Sequence, residues 1–304
     1  ERALLSNGLA FPKASFGLQI YDDATAQRLT ETALAVGYRN FFASVLAGNQ
    51  RGFARGVAAS GVPRGELFIC GTVLSNSAQG FENAYQATRR GCDENLEALA
   101  VGGIDFVDMI MLDYPGKDCD SIQGQWRAFE DMLAAGKTRS LAVSNFSPAQ
   151  LDCILQNRSA TAPVVNQLPY SVKSHDGAAV AENARRGVLV QAWSPLGGGR
   201  LSITASRACE EIGRSYGKSA VQVALRWIVQ SGATFATQTK SREHFVEDLD
   251  IFDFRLTESE MQRLGAISGS PESQLDGVLE VALPVAGTVA AAIAVGRPTF
   301  PWAA

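Results

Sequence analysis

A short apolar run followed by a helix-period segment recurs eight times between Ser15 and Ala266. The runs cover residues 16–20, 40–43, 67–72, 106–112, 140–144, 164–167, 189–193 and 234–237. Between them Phe81, Ala84, Tyr85, Cys92, Leu96 and Leu99 share one helical face, opposite Arg89, Arg90, Asp93, Glu94 and Glu97; Val221, Ala224, Leu225 and Ile228 repeat that face. Eight strands that each feed a helix predict a (β/α)8 TIM barrel. A doubly wound open sheet is the runner-up, but it wants a glycine-rich turn after its first strand, and Gly17-Leu18-Gln19 is not one.

Ahead of the repeat, Leu4-Leu5-Ser6-Asn7-Gly8-Leu9-Ala10-Phe11 places an Asn-Gly turn between apolar residues, which predicts an N-terminal β-hairpin capping one end of the barrel. In a chain of 304 residues with 46% hydrophobic and 19% charged side chains, the core is large enough for one barrel-sized domain. A formal net charge of -4 gives no basic face for nucleic acid. The five cysteines, Cys70, Cys92, Cys119, Cys153 and Cys209, are spread singly, so neither a disulfide framework nor a zinc site is expected, and buried thiols in a reducing compartment are. His175 and His244 stand in no metal-ligand spacing and are expected on surface loops.

Five ordered stretches then resemble one family. Trp126-Arg127-Ala128-Phe129-Glu130 with Ala135-Gly136-Lys137-Thr138-Arg139-Ser140-Leu141-Ala142-Val143-Ser144-Asn145-Phe146 is similar to the aldo-keto reductase signature around its fifth strand. Pro163-Val164-Val165-Asn166-Gln167, Ala192-Trp193-Ser194-Pro195-Leu196-Gly197, Gln222-Val223-Ala224-Leu225-Arg226-Trp227 and Ile251-Phe252-Asp253-Phe254-Arg255-Leu256 follow in the family's order. The resemblance covers residues 4–268 and implies the barrel.

It also implies carbonyl reduction with NADPH by an aspartate, a tyrosine, a lysine and a histidine, in which tyrosine gives the proton and lysine lowers its pKa. In register, those positions fall on Phe42, Ala47, Thr72 and Asp113, so all four are substituted. Alanine has no proton to give. Nicotinamide positions are kept in kind: Ser144, Asn145 and Gln167 for a carboxamide, Trp193 for a stacking face, and Ser194 with Leu196 in the turn near the pyrophosphate. At the adenosine end the cations that the resemblance implies for a 2′-phosphate are Gln238 and His244, followed by Glu247 and Asp248. Losing two charged hydrogen bonds of roughly 1.5–3 kcal/mol each disfavours NADPH. The expectation is no resident cofactor, with weak residual NAD(P) binding.

Asp113 is the one new ionisable group at that centre. It is either a general acid or base for altered chemistry or a hydrogen-bonded loop acid beside Pro115; the loop reading is favoured because no second acid, His or Lys converges on it. Tyr114 is set aside as a relocated proton donor.

Domains are expected at 1–267 for the barrel, 268–277 for a polar linker, and 278–304 for a C-terminal membrane-anchoring helix and tail. The stretch that starts at Val281 and ends at Gly296 has no charged residue, carries small residues at Ala282, Ala286, Gly287, Ala290, Ala291 and Ala294, and is followed by Arg297, Phe300 and Trp302. That pattern is expected to contact lipid and integral membrane proteins; burial on the barrel or in a homodimer is the alternative. With a start at Glu1 instead of Met, the expected role is a non-catalytic accessory subunit of a membrane complex in an organelle, a plastid thylakoid or a mitochondrial inner membrane. The alternatives are an NAD(P)H-binding oxidoreductase with an altered mechanism and a small-molecule sensor using the vacated pocket.

Overall fold

The computed structural model describes residues 1–157, 160–204 and 206–268. It opens with the expected hairpin, β1 (Arg2–Leu4) antiparallel to β2 (Ala10–Pro12), with Gly8 at φ 85° closing the turn. Eight parallel strands follow: β3 (Ala14–Gly17), β4 (Asn40–Ala43), β5 (Phe68–Val73), β6 (Met109–Leu112), β7 (Leu141–Ser144), β8 (Val165–Pro169), β9 (Leu189–Trp193) and β10 (Thr234–Thr237). They close into a barrel in chain order, β10 pairing with β3.

Helices α1 (Asp23–Val36), α2 (Gln50–Ser60), α3 (Phe81–Leu99), α4 (Cys119–Ala134), α5 (Pro148–Leu155), α6 (Ala179–Ala184), α7 (Arg200–Thr204), α8 (Arg207–Tyr216), α9 (Ala220–Gln230), α10 (Arg242–Leu249) and α11 (Glu258–Gly265) carry the crossovers. Their starts are set by side-chain caps: Asp22 accepts from Thr25 N at 2.8 Å, Asp118 from Ser121 N at 2.8 Å, and Ser147 and Ser219 form capping boxes with Gln150 and Gln222. Helix α9 is buried from Ala220 to Val229 because α7, α8, α10 and α11 cover the sides that the barrel does not. On α3 the sequence places Phe81 on the inner face, yet it is exposed and stacks on Tyr85, while Asn95 is buried and donates to Thr72 O at 2.8 Å.

Alternation along the strands sorts side chains into two cores. Phe41, Ile69, Ile110, Leu141 and Val190 face the helices; Phe42, Phe68, Cys70, Met109, Met111 and Ala142 fill the barrel interior. Phe11 of the hairpin closes the N-terminal end, its ring meeting Phe68 edge-on at 4.9 Å.

One expectation changes here. Cys119 and Cys153 form a disulfide, and Cys70, Cys92 and Cys209 stay outside it, all three buried. Among the described residues no helix is long and apolar enough to cross a membrane. The expected linker and span over 269–304 lie outside the described residues.

Candidate functional site

The C-terminal rim of the strands is where a barrel of this class presents its chemistry. Phe42 sits there fully buried, packed into the interior with Cys70 and Met111, where the resemblance implies an aspartate. Ala47 lies in the turn after β4, half-buried, with Leu46 exposed beside it. Thr72 is buried and accepts a hydrogen bond from Val45 N at 3.2 Å, so its hydroxyl ties the β4 loop to β5.

Asp113 continues the inward register of Met109 and Met111 one step past the end of β6, which aims its carboxyl into the mouth. Its backbone is pinned on both sides, N–H to Val73 O at 2.9 Å and C=O to Asn145 Nδ2 at 3.2 Å. The carboxyl itself has no hydrogen bond or ion pair among the described residues, which corrects the expectation of a hydrogen-bonded loop acid. Burial without a cation pushes its pKa up to about 6. The neighbouring Tyr114 is partly exposed, and its pKa is raised by burial and by Asp113.

Ser144, Asn145, Gln167 and Trp193 come together as the sequence places them, though several of their polar atoms are already used. Asn145, at φ 63°, donates to Asp113 O and to Ser144 Oγ and accepts from Trp193 Nε1 at 3.0 Å. Ser144 Oγ donates to Gln167 O at 3.2 Å. Gln167 Nε2 donates to Gln191 Oε1 at 2.7 Å, and Gln191 Nε2 to Ser15 Oγ at 2.9 Å, a buried line across the barrel. Asn145 is thus a positioning residue rather than an open amide, whereas Gln167 Oε1 has no hydrogen bond among the described residues. Trp193, half-buried, is fixed by its ring N–H and keeps a flat face. Ser194 (φ 48°) is exposed and Leu196 buried in the turn that leads to Gly197, Gly198 and Gly199, all at positive φ.

At the expected adenosine end the structure shows a cation that spacing did not reveal. Arg200 of α7 pairs with Glu247 at 2.6 Å and with buried Asp248, both on α10, so Asp248 is no unneutralised carboxylate. Burial still raises Asp248 to about 6 against the pull of Arg200. Gln238 donates to Gln19 Oε1 at 2.8 Å. His244 is half-buried and shares a hydrogen bond with Thr239 Oγ1 at 3.0 Å, its pKa lowered by burial and by Arg200. His175 lies on the loop after β8, as expected, but is half-buried there, its ring 4.8 Å from Trp227 and 5.4 Å from Tyr170. No cluster of three or more metal-ligating side chains occurs among the described residues. The thiol of Cys70 is pushed well above its ordinary range by burial, consistent with a core residue.

A model of the aldo/keto reductase family matches residues 9–268. An aldo-keto reductase of Mycolicibacterium smegmatis is 32% identical over 263 residues, 86% of this chain and 89% of that protein. A glyoxal reductase of Bacillus subtilis is 31% identical over 267 residues, 87% of this chain and 91% of that protein. The crystal structure of an aldo/keto reductase from Brucella melitensis superposes with a TM-score of 0.80 at 26% identity, covering 88% of this chain and 99% of that one. These likenesses overturn the expected non-catalytic membrane-complex subunit: relatives matched over most of their length are named as reductases, which favours an oxidoreductase.

Proposed function

Because the chain belongs to the aldo/keto reductase family, we propose that it is a nicotinamide-dependent carbonyl oxidoreductase with an altered proton source, Asp113. The observation that carries the reading is that carboxyl: inward-facing at the mouth, without a hydrogen-bond partner among the described residues, and with its pKa pushed up to about 6 by burial. The four substituted positions remove the family's proton donor at Ala47; among the described residues the other carboxyl raised to about 6, Asp248, is paired with Arg200.

The residues present fit a nicotinamide. Gln167 Oε1, with no hydrogen bond among the described residues, can accept from a carboxamide N–H, the flat face of Trp193 supports a planar ring, and the Ser194–Gly199 turn supplies small, open backbone. A bound reduced nicotinamide supplies hydride to the carbonyl carbon. Gln167 and Trp193 would hold the ring, Asn145 fixes Trp193 and the Asp113 backbone in one arrangement, and buried Phe42 would keep water out of the barrel interior next to them. Asp113 gives its proton to the carbonyl oxygen as charge develops there and regains one from solvent at the half-open mouth. The bond made at oxygen is O–H; the bond broken is the carboxyl O–H of Asp113.

The sign of the pH dependence follows. The acid form is the reducing form, so turnover is high below about pH 6 and falls as pH rises through it. The test is titration of the purified chain with NADH and NADPH by tryptophan fluorescence, followed by cofactor oxidation with small aldehydes and ketones. Saturable quenching and carbonyl-dependent oxidation are expected; absence of both with either cofactor overturns the proposal.

A further inference from the structure

The chain contains one covalent cross-link that the barrel does not require. Cys119 is the first residue of α4, exposed, directly after the N-cap Asp118. Cys153 is buried near the end of α5. The Cα atoms are 5.3 Å apart, a separation a disulfide spans without backbone movement. A groove of about 510 Å³ runs beside the bond between α3, α4 and α5, lined by Phe81, Trp126, Arg127, Glu130 and Cys153. Solvent therefore reaches the bond at Cys119 and along the groove.

The two helices it joins flank β7. Helix α5 begins at Pro148, only three residues past Asn145, and besides the disulfide the hydrogen bonds among the described residues that tie α4 to α5 and the chain after it are Gln123 Nε2 to Cys153 O at 3.4 Å, Trp126 Nε1 to Thr161 O at 2.8 Å and Thr161 N to Glu130 Oε1 at 2.7 Å. We propose that Cys119–Cys153 is a reversible thiol–disulfide site, opened by a dithiol reductant, whose opening loosens α5 and the Ser144–Asn145 corner it supports. The effect on that corner rests on the proposed function; the exchange chemistry does not.

The exchange balances as follows. A thiolate of the reductant attacks Cys119 Sγ, the accessible sulfur; the S–S bond breaks, and Cys153 leaves as a thiolate and takes a proton from water. The reductant's second thiol then attacks the mixed disulfide and expels Cys119 as the leaving thiolate, which takes a proton from water. The protein gains two electrons and two protons, and the dithiol becomes a disulfide.

The full chain, purified without reductant, is alkylated with iodoacetamide before and after treatment with dithiothreitol under native conditions, then weighed intact and melted. Before reduction no cysteine is modified; afterwards Cys119 and Cys153 are, while buried Cys70, Cys92 and Cys209 stay unmodified. The melting temperature falls by about 5–10 °C on reduction. The double variant Cys119→Ser, Cys153→Ser melts like the reduced protein and ignores dithiothreitol. Free Cys119 and Cys153 before reduction, a bond inert to native dithiothreitol, or an unchanged melting temperature overturns the proposal. If the alkylation and melting pattern holds but neither redox form binds NADH or NADPH, the proposed function and the effect on the corner fall while the exchange site stands.

Discussion

Asp113→Asn separates what the carboxyl costs the fold from what it does for chemistry. Burial raises the Asp113 pKa from 3.8 to about 6, so the folded chain holds that proton more tightly than the unfolded one. The stability this contributes is fully present below about pH 4, declines as pH rises through about 6, and is gone above it. Two pKa units correspond to about 3 kcal/mol, and water at the half-open mouth reduces the effective figure to roughly 1–3 kcal/mol. Asparagine has no charge to bury. The variant is therefore expected to unfold at higher urea than the native chain at pH 8, by that amount, and at the same urea at pH 4. Its carbonyl reduction should fall by about 100-fold or more, the usual contribution of a positioned proton donor. Urea unfolding at both pH values, read beside turnover on the same samples, gives both quantities. A stability gap independent of pH, or a variant as active as the native chain, refutes the assignment.

Arg200→Ala leaves Asp248 buried without its cation, with a loss of about 3–5 kcal/mol at pH 7.5 that shrinks below about pH 6 as the acid protonates; urea unfolding at pH 7.5 and pH 5 reads it, and a loss under about 1 kcal/mol at pH 7.5 contradicts it. Cys119→Ser opens a cross-link between positions 34 residues apart, for which loop-closure entropy gives about 3–4 kcal/mol. Denaturant unfolding of that variant should match the reduced native chain.

The barrel was legible because its period is physical. Residues 40–43, 189–193 and 234–237 are β4, β9 and β10 to the residue, since each apolar run is bounded by polar or glycine-bearing loops. The first strand was placed late, at 16–20 instead of Ala14–Gly17, because Leu18 and Ile20 stay apolar after the ladder ends; Leu18 O is by then bonded to the Asn49 side chain. Phe42, Ala47, Thr72 and Asp113 were found by register within well-matched stretches. What register does not carry is partnership across the fold. Arg200 meets α10 across 47 and 48 residues, and Cys119 meets Cys153 across 34. Asp113 carries the same lesson in reverse: the residue was visible, but the lack of a partner for its carboxyl is a property of the folded mouth. The aromatic neighbours of His175, Tyr170 and Trp227, come from opposite sides of β9 in the chain, so spacing put the histidine on its loop without the ring contacts that half-bury it.

Hydride transfer at this mouth with proton delivery by Asp113 is read out by incubating the purified chain with a small aldehyde and NADH or NADPH deuterated at the transferring C4 position, with mass spectrometry of the alcohol. The account predicts one deuterium on the carbinol carbon with the native chain, at a rate that falls as pH rises through about 6. Alcohol without deuterium, or labelled alcohol formed equally fast by Asp113→Asn, contradicts it.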